Sequence, residues 1–147
     1  MMQGIRSAVW PARMQDISQA AGRPAGTVWL DGGHNPAGAA TIAATLAQTP
    51  DQEPVTVIMG MLANKDAAGF LAALRPHIGR LLCIPIEGET THSPETLVRI
   101  AQDLGIPAQA EPAWDRALQT AKDGPVLICG SLYLAGQVLL HLGIPPQ

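Results

Sequence analysis

Short apolar runs alternate with longer helix-like segments from residue 27 onward. The strand-like runs are TVWLD, PVTVIMG, RLLCIPI and PVLICG, with a weaker one at IPAQAE. Near-continuous apolar strands separated by helices are typical of right-handed βαβ units, whose parallel sheet is covered on both faces. The pattern therefore predicts an α/β domain, with a Rossmann-like, doubly wound, mostly parallel sheet and helices on both faces.

Two predicted helices carry clear start signals. Asn35 followed by Pro36 fits an N-cap and a first helical residue, and Ser93 followed by Pro94 repeats this arrangement. Residues 1–26 do not join the alternation, and AAGRPAG within them has the composition of a loop. We expect one domain over residues 1–147, with an N-terminal segment at 1–26 that adds at most a single strand, and the alternating unit at 27–142.

Composition narrows the class of protein. Hydrophobic residues make up 47% of the chain and charged residues 14%, which predicts a packed domain and excludes a disordered one. The net charge is -3 and the basic residues are scattered, which argues against a nucleic-acid surface. The apolar stretches are too short to span a membrane, and no signal peptide is recognisable, so we expect a cytoplasmic protein without a membrane partner.

Cysteine and histidine show no metal-ligand pattern. Cys83 and Cys129 lie inside apolar runs, which predicts buried, reduced thiols. The four histidines have no ligand spacing among themselves or with the cysteines. We therefore predict no metal site in this chain.

Three strand ends carry glycine and polar residues where ligands of doubly wound sheets bind: LDGGHNP, GMLANKD and CGSLY. In the first, Asp31 ends the strand, the glycines permit a sharp turn, and His34 lies near the positive end of a helix. An Asp and a His on one short turn favour a functional site over a plain glycine turn. In the other two, a helix start with a solvated Lys65 and a capping Ser131 are the simpler interpretations.

Three common motifs are missing from the sequence. DGGHNPAG is not G-x-G-x-x-G, and its acidic residue precedes the glycines instead of following them. There is no Walker A sequence, and CGSLY lacks the second glycine of a nucleophile elbow. An independent dinucleotide-binding enzyme is therefore disfavoured, and a phosphate loop for ATP would have to come from outside this chain.

The motifs LDGGHNPAGA, VIMGMLANKD and GSLYLAGQVL, in this order, resemble the C-terminal domain of the folylpolyglutamate and dihydrofolate synthases, members of the Mur ligase superfamily. WPARMQ is similar to the W-P-G-R-x-Q segment that opens this domain in the family. The resemblance covers residues 4–142. Three positions depart from the usual pattern: Gly33 replaces Ala, Ala12 replaces Gly, and Asn64 replaces a common Asp.

This resemblance implies an ATP-dependent ligase that adds L-glutamate to folate or dihydropteroate through an acyl phosphate, using ATP and Mg²⁺. The family's P-loop, magnesium ligands and folate site lie in an N-terminal ATPase domain, which this sequence does not contain. We therefore expect a detached C-terminal domain that is inactive without its ATPase partner. The alternative is a stand-alone nucleotide-binding or regulatory module that keeps the fold and has no ligase activity.

The resemblance also assigns nucleotide contacts. Arg13 would contact the phosphates, a role that suits an always-charged fork of donors. Asp31 would accept hydrogen bonds from the ribose or neighbouring groups and would also take part in catalysis. Asn35 is included among the nucleotide contacts, and Asn35 and Lys65 would orient their turns.

The glutamate side of the implied site rests on two residues. His34 would act in catalysis and glutamate binding, beside the reacting carboxylate. Ser131, at its helix N-terminus, would help to bind the glutamate carboxylate, because such termini favour anions. The neighbouring Tyr133 is expected to lie in the core.

Overall fold

Among the described residues, six strands form a sheet that lies between two layers of helices. The computed structural model describes residues 13–48, 53–122 and 124–144. The strands are β1 (Gln15–Asp16), β2 (Val28–Leu30), β3 (Val55–Met59), β4 (Ile78–Cys83), β5 (Ala108–Ala110) and β6 (Val126–Cys129). The helices are α1 (Pro36–Ala47), α2 (Ala67–Leu74), α3 (Pro94–Asp103), α4 (Trp114–Ala121) and α5 (Leu132–Leu142), with a short 3₁₀ turn at Arg75–His77.

The strand order is β1-β2-β6-β3-β4-β5. The short β1 runs antiparallel to β2, and the other neighbours are parallel. This topology confirms the predicted Rossmann-like, mostly parallel sheet, and the described part of the N-terminal segment contributes β1. The helices that follow the neighbouring strands β2 and β6 lie on opposite faces of the sheet, which creates a topological switch point between these two strands.

Two apolar layers hold the helices on the sheet. Helices α1, α2 and α3 pack on one face, and α4 and α5 pack on the other. All four residues of β6 are buried, as expected for a central parallel strand covered on both sides. Cys83 and Cys129 are buried and unpaired, which confirms their prediction, and burial raises the pKa of the Cys83 thiol to about 12.

The predicted helix starts at Asn35 and Ser93 are confirmed. The Asn35 side chain accepts a hydrogen bond from the Gly38 N–H, with a distance of 2.8 Å, and Ser93 accepts one from the Thr96 N–H at 3.1 Å. Each satisfies a backbone donor that the first helical turn leaves unpaired. The first of these caps fixes the start of α1 directly after the polar turn that follows β2.

A buried serine organises the N-terminal hairpin. The Ser18 side chain is fully buried, and its Oγ accepts hydrogen bonds from the backbone N–H groups of Thr27, at 3.0 Å, and Val28, at 2.8 Å. The Ser18 hydroxyl donates to Asp16 Oδ1, and this bond, with a second from the Ser18 N–H, lowers the pKa of Asp16. The network holds β1, and with it residues 13–16, alongside β2.

Replacing Ser18 with alanine is expected to lower the free energy of unfolding by about 2 kcal/mol, because two backbone donors lose their acceptor. Urea denaturation of the purified chain measures this value. Ser93→Ala serves as a control, since it removes an exposed helix cap and is expected to cost about 1 kcal/mol. An equal or smaller loss for Ser18→Ala than for Ser93→Ala contradicts the role given to the buried network.

Candidate functional site

A cleft of about 520 Å³ opens at the switch point, beyond the carboxyl ends of β2 and β6. Its wall is formed by the turn after β2, the outward face of α1, the backbone that precedes β1 and the first residue of α5. The structure brings four predicted site residues into this lining: Arg13, Asp31, His34 and Asn35. It also adds Met14, Thr41, Thr45 and Leu132, which the sequence analysis did not identify.

Asp31 is the most buried charged group of the cleft, with 9% of its surface exposed. Its Oδ1 accepts a hydrogen bond from the Gly33 N–H at 2.7 Å, and its Oδ2 accepts one from the Met14 N–H at 2.9 Å. Burial raises the pKa of Asp31, although both hydrogen bonds and the charge of Arg13 act in the opposite direction. Each carboxylate oxygen keeps a lone pair, so Asp31 can still accept hydrogen bonds from ligand hydroxyls.

The Met14 backbone reaches Asp31 through an unusual conformation. Its φ of 44° lies in the left-handed region, which residues other than glycine seldom adopt. Such a conformation costs free energy and persists only where surrounding contacts hold it in place. Here it directs the N–H toward the carboxylate of a residue 17 positions later in the chain. No local pattern in the sequence indicates this contact.

The backbone fixes the tautomer of His34. Its Nδ1 lies 3.1 Å from the carbonyl oxygen of Gly32, and a carbonyl only accepts hydrogen bonds, so Nδ1 carries the hydrogen. In the neutral ring Nε2 then holds a lone pair. The half-buried imidazole can therefore accept a hydrogen bond or a proton from a ligand at Nε2.

Arg13 and Asn35 are exposed at the rim of the cleft. Arg13 is close enough for its charge to act on Asp31. The Oδ1 of Asn35 accepts the hydrogen bond of the helix cap, and its amide nitrogen is available to donate to a ligand. Thr41 and Thr45 are four residues apart on α1, a spacing that places them on one face and could have indicated that they share a wall.

Ser131 and Tyr133 lie at the start of α5. Ser131 is 2% exposed, and its Oγ accepts hydrogen bonds from the N–H groups of Tyr133 and Leu134, so it caps the helix. A contact with a glutamate carboxylate would use its hydroxyl hydrogen and remains a prediction. Tyr133 is 54% exposed, so its expected place in the core is wrong. The buried stripe of α5 consists of Leu134, Ala135, Val138 and Leu139.

Gly130 brings the turn after β6 into contact with the turns after β2 and β3. The Gly130 N–H donates to the carbonyl oxygen of Gly33, with a distance of 3.0 Å, which ties the end of β6 to the turn after β2. Gly130 has a φ of 110°, and a Cβ at this position would lie 2.2 Å from the carbonyl oxygen of Gly60, at the end of β3. Only glycine fits between these two turns.

Within residues 13–48, 53–122 and 124–144, no group of three or more His, Cys, Asp or Glu side chains could hold a metal ion. No helix within these same ranges is long and apolar enough to cross a membrane. The ionisable side chains that line the cleft are those of Arg13, Asp31 and His34.

Comparison with known proteins shows which family the chain belongs to. A dihydrofolate synthase/folylpolyglutamate synthase of Escherichia coli is 33% identical over 138 residues, which span 92% of this chain and 31% of that protein. The Mycobacterium tuberculosis folylpolyglutamate synthase, in a structure complexed with ADP and AMPPCP, superposes with a TM-score of 0.81 at 27% identity, covering 93% of this chain and 33% of that one.

A further structure, of a bifunctional folylpolyglutamate synthase/dihydrofolate synthase with Mn, AMPPNP and L-glutamate bound, is 32% identical with a TM-score of 0.72 and covers 93% of this chain and 32% of that one. The chain thus spans about a third of the length of the relatives it matches. The family model for the Mur ligase glutamate ligase domain matches residues 12–132. The chain therefore belongs to the Mur ligase family, as a glutamate ligase domain.

Proposed function

We propose that this chain is the C-terminal domain of an ATP-dependent ligase that adds L-glutamate to folate or dihydropteroate. The observation that carries the proposal is the cleft, in which Arg13, Asp31 and His34 meet at the switch point without a phosphate loop. Relatives that match nearly the whole chain are folylpolyglutamate and dihydrofolate synthases. We also propose that the protein is cytoplasmic, as expected from its sequence.

The proposed reaction proceeds through an acyl phosphate. ATP transfers its γ-phosphoryl group to the folate or pteroate carboxylate and leaves as ADP. The glutamate amine then attacks the acyl carbon, loses a proton, and displaces phosphate as the amide forms. Arg13, exposed at the rim, suits the nucleotide phosphates because its guanidinium stays charged and donates several hydrogen bonds. Asp31 suits the ribose hydroxyls, since its oxygens keep free lone pairs, and the Nε2 of His34 suits the glutamate amine.

The proposal requires a second protein surface. The cleft provides a few ligand contacts at strand ends, and an N-terminal ATPase domain would supply the phosphate loop, the folate site and the ligands of Mg²⁺, which neutralises phosphate charge. Closure of two such domains excludes water, which would otherwise hydrolyse the acyl phosphate. The glutamate contact of Ser131 and the nucleotide contact of Asn35 belong to the same closed arrangement.

The isolated chain is expected to bind ATP weakly and to show no glutamate-dependent ATP hydrolysis. Fusing it to the N-terminal two thirds of the E. coli relative, in place of that protein's matching region, is expected to give a chimera that forms ADP in a glutamate- and folate-dependent manner. A coupled ADP assay measures both. Robust turnover by the isolated chain contradicts the proposal. Tight nucleotide binding by the chain, together with an inactive chimera, favours the stand-alone nucleotide-binding module instead.

A further inference from the structure

Residues 84–92, which we call the strap, cross the end of β3. They lie beyond the carboxyl ends of the strands, as the cleft does. The chain that leaves β4 returns over the turn that follows β3, and the two segments are joined by backbone hydrogen bonds. The Ala63 N–H donates to the Thr90 carbonyl oxygen at 3.0 Å, and Leu62 and Thr91 form an antiparallel bridge between them. The strap ends at His92, immediately before the N-cap of α3.

His92 joins the strap to the turn at two points. Its backbone N–H donates to the Met61 carbonyl oxygen, and its Nε2 lies 2.9 Å from the Lys65 carbonyl oxygen. A carbonyl cannot donate, so Nε2 carries the hydrogen in the neutral ring and in the protonated ring alike. The Lys65 N–H in turn donates to the Leu62 carbonyl oxygen at 3.1 Å. Both backbone polar groups of Lys65 are thereby fixed.

Lys65 carries the positive charge of this turn. Its side chain is half-buried, and within the described residues no carboxylate forms an ion pair with its ammonium group. An ammonium group that has no ion-pair partner among these residues can bind an anionic group of a ligand.

The turn that carries Lys65 adjoins the cleft wall. Asp66, the next residue, caps α2. A Cβ on Gly69, in the first turn of α2, would lie 2.9 Å from Cγ of Pro36, so this turn packs against the first turn of α1. The start of α1 also forms part of the cleft lining, through Asn35 and Gly38.

We infer that His92 is a positioning residue that holds Lys65 where its ammonium binds an anionic group of the ligand. The inference deepens the proposed function and rests on it for the ligand, whose anion is either a nucleotide phosphate or the carboxylate of the incoming amino acid. His92 does not itself contact the ligand. It acts by fixing the Lys65 backbone, through one side-chain hydrogen bond and the backbone bonds of the strap.

The first test measures hydrogen exchange at the Lys65 amide in the isolated chain. His92→Leu removes the side-chain donor and is expected to accelerate this exchange about tenfold, because the turn opens more often. His92→Gln keeps an N–H donor and is expected to restore part of the protection. Unchanged exchange in His92→Leu overturns the inference.

The second test titrates the isolated chain with ADP and, separately, with L-glutamate, following the Lys65 resonances by NMR. One of the two probes is expected to shift them in a saturable way, which identifies the anion. His92→Leu is expected to weaken that binding about fivefold, the effect of one misplaced ion pair. In a Lys65→Gln background His92→Leu is expected to have no further effect.

The outcomes separate this inference from the proposed function. If neither probe shifts Lys65, or if His92→Leu weakens binding equally in the Lys65→Gln background, the inference is wrong even where the chimera is an active ligase. If the shifts and their loss are observed while the chimera forms no ADP, the positioning role of His92 holds and the ligase assignment fails.

Discussion

Replacing Gly130 with alanine is expected to lower the free energy of unfolding by more than about 4 kcal/mol, a loss that only a few mechanisms produce. The added Cβ would lie 2.2 Å from the Gly60 carbonyl oxygen, and the φ of 110° is disfavoured for any residue with a side chain. Relief of the clash would require the β6 turn to move, which would break the Gly130 hydrogen bond to Gly33. Urea denaturation, or the loss of folded protein on expression, measures the effect.

Gly143 supplies the matched control. It also has a positive φ, of 72°, but a Cβ there would meet no atom within 4 Å. Gly143→Ala therefore tests the backbone conformation alone, and we expect it to cost about 1 kcal/mol. If Gly130→Ala unfolds at the same urea concentration as Gly143→Ala, the close approach of the two turns is wrong.

Asp31→Asn and His34→Ala are each expected to reduce glutamate-dependent turnover of the active chimera at least about 100-fold, since the first removes the carboxylate charge and the second removes the imidazole from the proposed site. Stability is expected to change by no more than about 1 kcal/mol for Asp31→Asn, because one hydrogen bond is lost while a buried charge is removed. Asp66→Asn, which keeps a helix cap outside the cleft, is expected to leave turnover within about twofold. Normal turnover in both cleft variants contradicts the site assignment.

The pH dependence of stability provides a second comparison for Asp31→Asn. Burial raises the pKa of Asp31 above its unfolded value, so the folded chain holds this proton more tightly than the unfolded chain does. The stabilising effect of the protonated form is complete below the unfolded pKa and is lost as the pH rises through the folded one. Across that range the wild-type free energy of unfolding is expected to fall relative to that of Asp31→Asn.

The sequence predicted the parts of the site that lie on one turn. Asp31, His34 and Asn35 are close in the chain, and the N-cap before Pro36 determines where α1 begins, so local chemistry alone places them together. The sheet was predictable for a similar reason, because strands buried on both faces leave continuous apolar runs. The position of Arg13 beside them came from the family resemblance.

The features that sequence reasoning missed depend either on a long-range contact or on a helix whose faces are all similarly apolar. The Met14 contact joins residues 17 positions apart through a backbone conformation that methionine rarely adopts. Tyr133 was misplaced because α5 is apolar on nearly every side, LYLAGQVLLHL, so no periodicity shows which stripe faces the sheet. Tertiary packing determines which stripe faces the sheet, and it buries Leu134 and Ala135 while Tyr133 stays exposed.

The pairing of β1 with β2 determines where a fragment containing this domain can begin. A cut at residue 27, where the alternating pattern starts, would follow the sequence but would remove β1 and the Met14 N–H that holds Asp31. It would also leave β2 as an open edge strand, with unpaired backbone groups available to join a strand of another molecule. A fragment cut in that way would lose part of its ligand cleft and would tend to aggregate. Both effects would follow from the removal of β1 and the residues next to it.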